Sequence, residues 1–377
     1  MNKLLYFFIK VFTKTKNKSL DITKIEKILC FTPMGIGNAL MLLPTLQLLK
    51  NQLPHSELDI VTISGAKELY QNSVGYRNLF FWNHYKKVID KLIFFFNLRK
   101  NHYQFIIFFY PFHGMWSKIF MFMYKNAYVA GFHYVNAKEK NHYDFSFLYN
   151  YYESDREKKH DIVRNYDFLS NLLNLKEKKI RNELILSEKI KSFGIELKRK
   201  LSISNNHSYL IGFSIGSKEN NSYKRWDTNQ FIVLGNYLTK NYPVQILLLF
   251  GPDEKEISIQ AAKKINNCYI NENSISLMET ASIIQVCDGF VSNDSALMHF
   301  ASFLNVPTIG IFGPTDEVRT SPFGNHCTVI RSYSCPFQPC YNKGVPSLCR
   351  NQYPLCLKSI SVQDVIKCVE EKFDFLK

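Results

Sequence analysis

Apolar and polar positions between residues 25 and 63 fall into two different rhythms. Residues 28–32 form a short apolar run, 33–38 a loop with two glycines, 39–51 a longer stretch with apolar residues at helical spacing, and 58–63 a second apolar run. Short apolar runs bounded by turn residues read as strands buried on both faces, and the longer stretch between them reads as a helix. The pattern therefore predicts a βαβ unit. Further strands are expected at 91–95 and 105–109, then a loop at 110–116 and a tyrosine-rich stretch to about residue 152. From 153 to 206 the chain turns polar and helical, with Lys/Glu-rich pieces at 177–180 and 188–200, and reads as a bridge. The alternation then restarts, with strands at 209–214, 244–250, 289–292 and 308–312 and helices at 228–239, 276–285 and 294–304.

Such repetition predicts an α/β protein with two Rossmann-like domains, each a parallel sheet covered by helices on both faces. The boundaries that follow are a basic, aromatic segment at 1–24, a first domain at 25–195 and a second at 205–377. In open α/β sheets ligands bind beyond the carboxyl ends of the strands, so the chemistry is expected in the loops there.

Composition narrows the partners. At 377 residues and 46% hydrophobic the chain can bury two cores, and long disorder is not expected. The formal net charge of +15 attracts something anionic: nucleic acid, a charged membrane leaflet or a phosphorylated small molecule. No helix-turn-helix, zinc-finger or RNA-recognition pattern accompanies the scattered lysines, so nucleic acid is not an expected partner. The first twenty residues carry five lysines and no acid around the apolar run 4–9, which Lys10 interrupts. That run is too short to span a bilayer, which takes about 20 residues, and no signal-peptide cleavage pattern follows it. It reads either as an interfacial helix with lysines on anionic headgroups or as a basic terminus packed on its domain.

Of the nine cysteines, Cys30, Cys268, Cys287, Cys327 and Cys368 are dispersed, while Cys335, Cys340, Cys349 and Cys356 form a group. Zinc ligands usually pair two to four residues apart, and of the intervals of four, eight and six residues here only the first fits, a poor match, so no metal is assigned. Without an export signal, free thiols in a reducing cytoplasm are expected.

Four loops could carry chemistry. Gly35, Ile36, Gly37 and Asn38 stand between a strand and a helix, where glycine permits close backbone approach and a helix start offers free N–H groups. The dinucleotide fingerprint is incomplete, because Leu40 occupies its third glycine position and no acid ends the second strand, which argues against an NAD-linked oxidoreductase. The loop from Gly216 and Ser217 to Trp226 carries adjacent cations, Lys224 and Arg225, able to neutralise a departing diphosphate. Asn293 or Asp294 is expected to cap a helix whose first turn holds the small residues Ser295 and Ala296, with His299 further along. Gly313-Pro314-Thr315-Asp316 closes the set as a turn.

In order along the chain, these pieces resemble glycosyltransferase family 9, the heptosyltransferase-like enzymes of bacterial surface-polysaccharide synthesis. The resemblance rests on Gly35-Ile36-Gly37 followed by Leu42, Leu43, Pro44 and Leu46; the Ser217 to Trp226 loop; Gly251-Pro252-Asp253-Glu254; Asn293 to His299 leading into Val306-Pro307-Thr308; and Gly313 to Asp316. It implies a GT-B fold, two Rossmann-like domains facing across a cleft, and an inverting, metal-independent transfer needing no cofactor. The acceptor would bind mainly in the first domain and the nucleotide-sugar donor in the second. Lys224 would contact the donor phosphates, Glu254 the ribose and the backbone near Met278 the base, with Asp294, Ser295, Ala296 and His299 at the diphosphate and sugar. The resemblance further implies an ADP-linked heptose as donor and a saccharide or lipid-linked acceptor. It places the protein in the cytoplasm, peripheral at the inner membrane face.

The family's Gly-x-Gly-Asp ends here in Asn38, so the presumed general base is an amide that cannot accept a proton. His113 or Asp294 could serve instead. The other reading is a catalytically impaired relative that binds nucleotide and acts as a binding or scaffolding protein.

Overall fold

A computed structural model describes residues 3–13, 19–112, 114–124, 126–133, 144–154, 157–176, 179–205, 209–216, 223–271, 273, 275–340, 349 and 354–376. The chain divides into two compact units, Met1–Arg181 and Asn182–Lys377.

In chain order the first unit contains α1 (Lys3–Phe12), β1 (Lys27–Phe31), α2 (Ile36–Gln52), β2 (Glu57–Thr62), α3 (Lys67–Ser73) and β3 (Asn78–Phe81). It continues with α4 (Val88–Arg99), β4 (Phe105–Phe108), α5 (Met115–Met123), β5 (Tyr128–His133), β6 (Tyr151–Ser154) and α6 (Asp161–Leu172). All pairings are parallel, in the order β3-β2-β1-β4-β5-β6. β4 is apolar throughout and every residue of it is buried, because helices cover both sheet faces. One face carries a core in which Ile9 of α1, Phe94, Phe95 and Leu98 of α4 and Phe120 and Met121 of α5 meet Leu29, Phe31, Ile106 and Phe108 of the sheet. α2, buried from Ala39 to Leu46, packs against α6.

Asp59 is the one carboxylate wholly buried in β2. Arg77 donates to both its oxygens at 3.0 and 2.5 Å, Tyr103 donates its hydroxyl at 2.5 Å, and the Asn78 N–H adds another bond. Burial and the neighbouring carboxylate push the Tyr103 hydroxyl well up from its ordinary value. Such full satisfaction is what lets a charge sit inside a core.

The second unit runs α7 (Glu188–Asn205), β7 (Tyr209–Ser214), α8 (Thr228–Asn241), β8 (Val244–Leu248), α9 (Lys255–Ala262), β9 (Cys268–Ile270) and α10 (Leu277–Gln285). β10 (Gly289–Asn293), α11 (Ala296–Phe303), β11 (Thr308–Phe312), α12 (Glu317–Thr320), β12 (Cys327–Arg331), α13 (Leu355–Lys358) and α14 (Val362–Lys372) follow. Its sheet is also parallel, in the order β12-β11-β10-β7-β8-β9.

Three expectations change. Residues 91–95, expected as a strand, lie inside α4, where Phe94, Phe95 and Leu98 point inward at helical spacing. The glycine loop is shorter than 33–38, because α2 begins at Ile36 and takes Gly37 and Asn38 into its first turn. Residues 182–195, read as belonging with the first domain, pack in the second unit. Asn182 donates to the Phe323 carbonyl, the Leu184 N–H to that of Phe303, and Lys198 pairs with Asp288 at 3.0 Å. α7 lies so close on α10 that a Cβ at Gly194 would stand 2.1 Å from the Ser282 carbonyl oxygen, so only glycine fits the crossing.

Candidate functional site

Strand order decides where each sheet can bind. In the second sheet β7 leads outward to β8 and β9 on one side, and β10 then starts the other side. The loops after β7 and β10 thus part in opposite directions and leave a crevice at the switch point, the place where open α/β sheets hold ligands. Both loops carry the predicted residues.

Lys224, after β7, donates to Oδ2 of Asp294, after β10, at 2.9 Å, and the two side chains are only 12% and 8% exposed. The aspartate that would repel a phosphate is therefore already matched to a cation. Asn293 ties the same loops together: its side chain donates to the Ile215 carbonyl at 2.7 Å and accepts from the Trp226 N–H at 2.9 Å. Trp226 is anchored in turn, its indole N–H donating to the Ile360 carbonyl. Neither Asn293 nor Asp294 caps the helix, contrary to expectation, because both are used across the crevice. Ser295 is the N-cap of α11, its Oγ facing the Met298 N–H at 3.5 Å and lying 3.1 Å from Ser292 Oγ and 3.5 Å from Ser214 Oγ. A start of α11 thus rimmed by small hydroxyls, next to a held lysine, can receive an anion through backbone N–H groups and a point charge. Ala296 sits half-buried in the first turn, Arg225 is half-buried beside Lys224, and His299 is buried further along α11.

Glu254 ends the short turn after β8. Its Oε2 accepts from the Gly251 N–H at 2.6 Å, and its side chain lies over Gly216, where a Cβ would come within 2.3 Å of the Glu254 Cγ. Gly216→Ala must therefore push Glu254 aside. A loss of about 1–3 kcal/mol is expected, read as a lower unfolding midpoint for the variant. Met278 is buried in the first turn of α10, which Ser276 caps at 3.1 Å from the Glu279 N–H. Gly313 and Pro314 accept hydrogen bonds from the Gln338 side chain and the Cys340 N–H, and Asp316 caps α12.

The first sheet has its own switch point, between β1 and β4. Gly35 is the N-cap of α2 with no side-chain cap, Ile36 and Gly37 are half-buried in its first turn, and Asn38 is half-buried beside them. Across the switch point, the segment after β4 is pinned by the buried Asn165 of α6. Its amide accepts from the Tyr110 N–H at 2.9 Å and donates to the Tyr110 carbonyl at 3.0 Å, while Arg164 lies over the Tyr110 ring at 4.6 Å. His113 and Ser217 lie outside the described residues.

Neither Asn165 nor Asn293 stands out in the sequence as a loop-bridging residue, since their partners lie 55 to 78 positions away. Cys335 and Cys356 are buried in the second core. Burial, and then Cys335, Cys340 and Cys349 nearby, push the Cys356 thiol up to about 11. Among the described residues no three His, Cys, Asp or Glu side chains are placed to hold a metal ion.

Two Rossmann-like units in succession, each built on a six-stranded parallel sheet, define the GT-B class of fold. The chain belongs to glycosyltransferase family 9 (heptosyltransferase), whose profile matches residues 94–349. It is 25% identical over 205 residues to lipooligosaccharide heptosyltransferase 2 of Campylobacter jejuni, an alignment covering 51% of this chain and 61% of that protein. The match thus spans less than two thirds of that relative's length. Among solved structures, the ADP-heptose LPS heptosyltransferase II of E. coli superposes with a TM-score of 0.69 at 19% identity, over 92% of this chain and 98% of that one. A glycosyl transferase family 9 protein from Veillonella parvula gives a TM-score of 0.72 at 18% identity, over 95% and 99%.

Proposed function

We propose that the protein is an inverting glycosyltransferase that moves a heptose, or a closely related sugar, from an ADP-linked donor to a saccharide or lipid-linked acceptor of bacterial surface polysaccharide. The observation that carries this reading is the nearly buried Lys224–Asp294 pair at the β7/β10 switch point. It holds a cation where a diphosphate would meet the start of α11. In the reaction the acceptor oxygen bonds to the anomeric carbon as the bond from that carbon to the donor phosphate oxygen breaks. The acceptor proton passes to a base, and the nucleoside diphosphate leaves with the bonding electrons. Lys224 and the α11 N–H groups neutralise the charge growing on that leaving group, the largest electrostatic demand of the step. Glu254 holds the ribose, the backbone near Met278 the base, and Ser295, Ala296 and His299 the diphosphate and sugar end. The first unit receives the acceptor beside Gly35, Ile36, Gly37 and Asn38, in the cytoplasm at the inner membrane face. No metal or cofactor is required.

Calorimetric titration with ADP, GDP and UDP tests the reading. Binding of ADP in preference to the other two is the expected outcome, and binding of none of them would overturn the donor-site assignment.

A further inference from the structure

The first unit turns an unusual surface outward. On α4 the inward residues are Phe94, Phe95 and Leu98, but the opposite stripe is also apolar: Val88, Ile89, Ile93 and Phe96 are each more than half exposed. α1 repeats the arrangement. Ile9 is its core residue, while Phe7, Phe8, Val11 and Phe12, at successive helical spacing, are 52 to 74% exposed. Amphipathic helices in a soluble domain normally turn polar residues outward. Here both faces of both helices are apolar.

α1, α4 and α5 all cover the same face of the first sheet, so their outer sides lie on one side of the unit. Near the start of α5 Trp116 lies against Trp82 and Phe95, and Lys91 of α4 rests over both indoles at 5.0 Å. Near its end Phe122 meets Phe8, which also packs on Phe12 at 4.8 Å. Trp116, Ile119, Phe122 and Met123 of α5 are themselves only half-buried. Exposed apolar side chains on helices that cover one sheet face exceed the scattered exposed residues that need no explanation, and they mark an interaction site.

Charge selects the partner. Lys10 is exposed on α1, Lys86 and Lys87 stand exposed at the start of α4, and Arg99 and Lys100 at its end. The acid within the stripe, Asp90, faces the Lys87 backbone N–H at 3.4 Å. An apolar plane with aromatic side chains and a cationic border matches an anionic bilayer, with the rings in the acyl boundary and the cations at headgroup level. No helix among the described residues is long and apolar enough to cross a membrane, so contact would lie in the plane of the interface.

We propose that the outer faces of α1, α4 and α5 form a docking surface for an anionic lipid bilayer, holding the first unit where a lipid-linked acceptor resides. The acceptor clause rests on the function proposed above; the docking surface does not. Sedimentation of the full chain with vesicles of phosphatidylcholine mixed with phosphatidylglycerol is expected to carry it down, and vesicles of phosphatidylcholine alone much less. The Phe8→Ser/Ile93→Ser variant, which leaves Ile9, Phe94, Phe95 and Leu98 in the core, is expected to weaken partitioning by tenfold or more, on the order of two lost insertions. Lys87→Gln and Lys100→Gln are each expected to cost about fivefold, on anionic vesicles only. Brominated lipid should quench fluorescence from Trp82 and Trp116 and spare the buried Trp226. Equal sedimentation of wild type and the double variant, or absence of quenching, would overturn the proposal. So would a dimer that the double variant abolishes in a protein that ignores vesicles, since the surface would then meet a second copy. ADP titration of the same samples separates the two ideas. A wild type that ignores vesicles but binds ADP sinks the docking surface alone, and a wild type that sediments with vesicles but binds no ADP sinks the donor site alone.

Discussion

Replacing Lys224 by alanine is expected to abolish nucleotide binding and to destabilise the second unit at once. The side chain reaches Asp294 at 2.9 Å with both groups nearly out of solvent, so its loss strands a carboxylate beside the start of α11. Removing one partner of a buried pair costs about 3–5 kcal/mol. The stranded charge would also repel a diphosphate at the place where the lysine attracted it. The two effects can be separated. In Lys224→Ala/Asp294→Ala no charge is stranded, and thermal unfolding should return most of the way to wild type. ADP titration should stay weak by about a hundredfold, since the charge-assisted contact worth about 1.5–3 kcal/mol is still missing. If the double variant bound ADP like wild type, the pair would be structural and the donor phosphates would lie elsewhere.

Asn38→Asp is expected to raise turnover by about 10²–10⁴-fold while leaving ADP affinity unchanged. A positioned base contributes about that factor, and an amide contributes none of it. The substitution is nearly isosteric. Residue 38 is half-buried in the first turn of α2, where a carboxylate is favoured by the unpaired N–H groups of a helix start. Initial rates with saturating donor and a soluble acceptor fragment are the measurement. An unchanged rate would place the base on another group, with His113→Ala the next variant. Asp294 is the weaker alternative, because its Oδ2 is already engaged by Lys224.

Much of the architecture is legible in the order of apolar residues. The strands at 209–214 and 308–312 coincide with β7 and β11, because strands buried on both faces are apolar at most positions. Boundaries set by single side chains are harder to read. Asn293 and Asp294 both look like helix caps, yet each finds a partner on the loop after β7, and the cap falls to Ser295. Residues 91–95 form an apolar run that suits a strand as well as a helix. Their assignment to α4 comes from Phe94, Phe95 and Leu98 meeting the sheet.

The order of residues alone marks a doubly repeated α/β protein with its candidate chemistry after the strands, because burial on both faces and glycine-bearing loops leave a local signature. It also carries the departure at Asn38 and the basic, aromatic start. The pairing of Lys224 with Asp294, the clamp of Asn293 on two loops, the place of α7 in the second unit and the packing of α1, α4 and α5 on one sheet face emerge only in the folded chain. Each of these depends on residues far apart in the chain, and such distances close only when the sheet order is known.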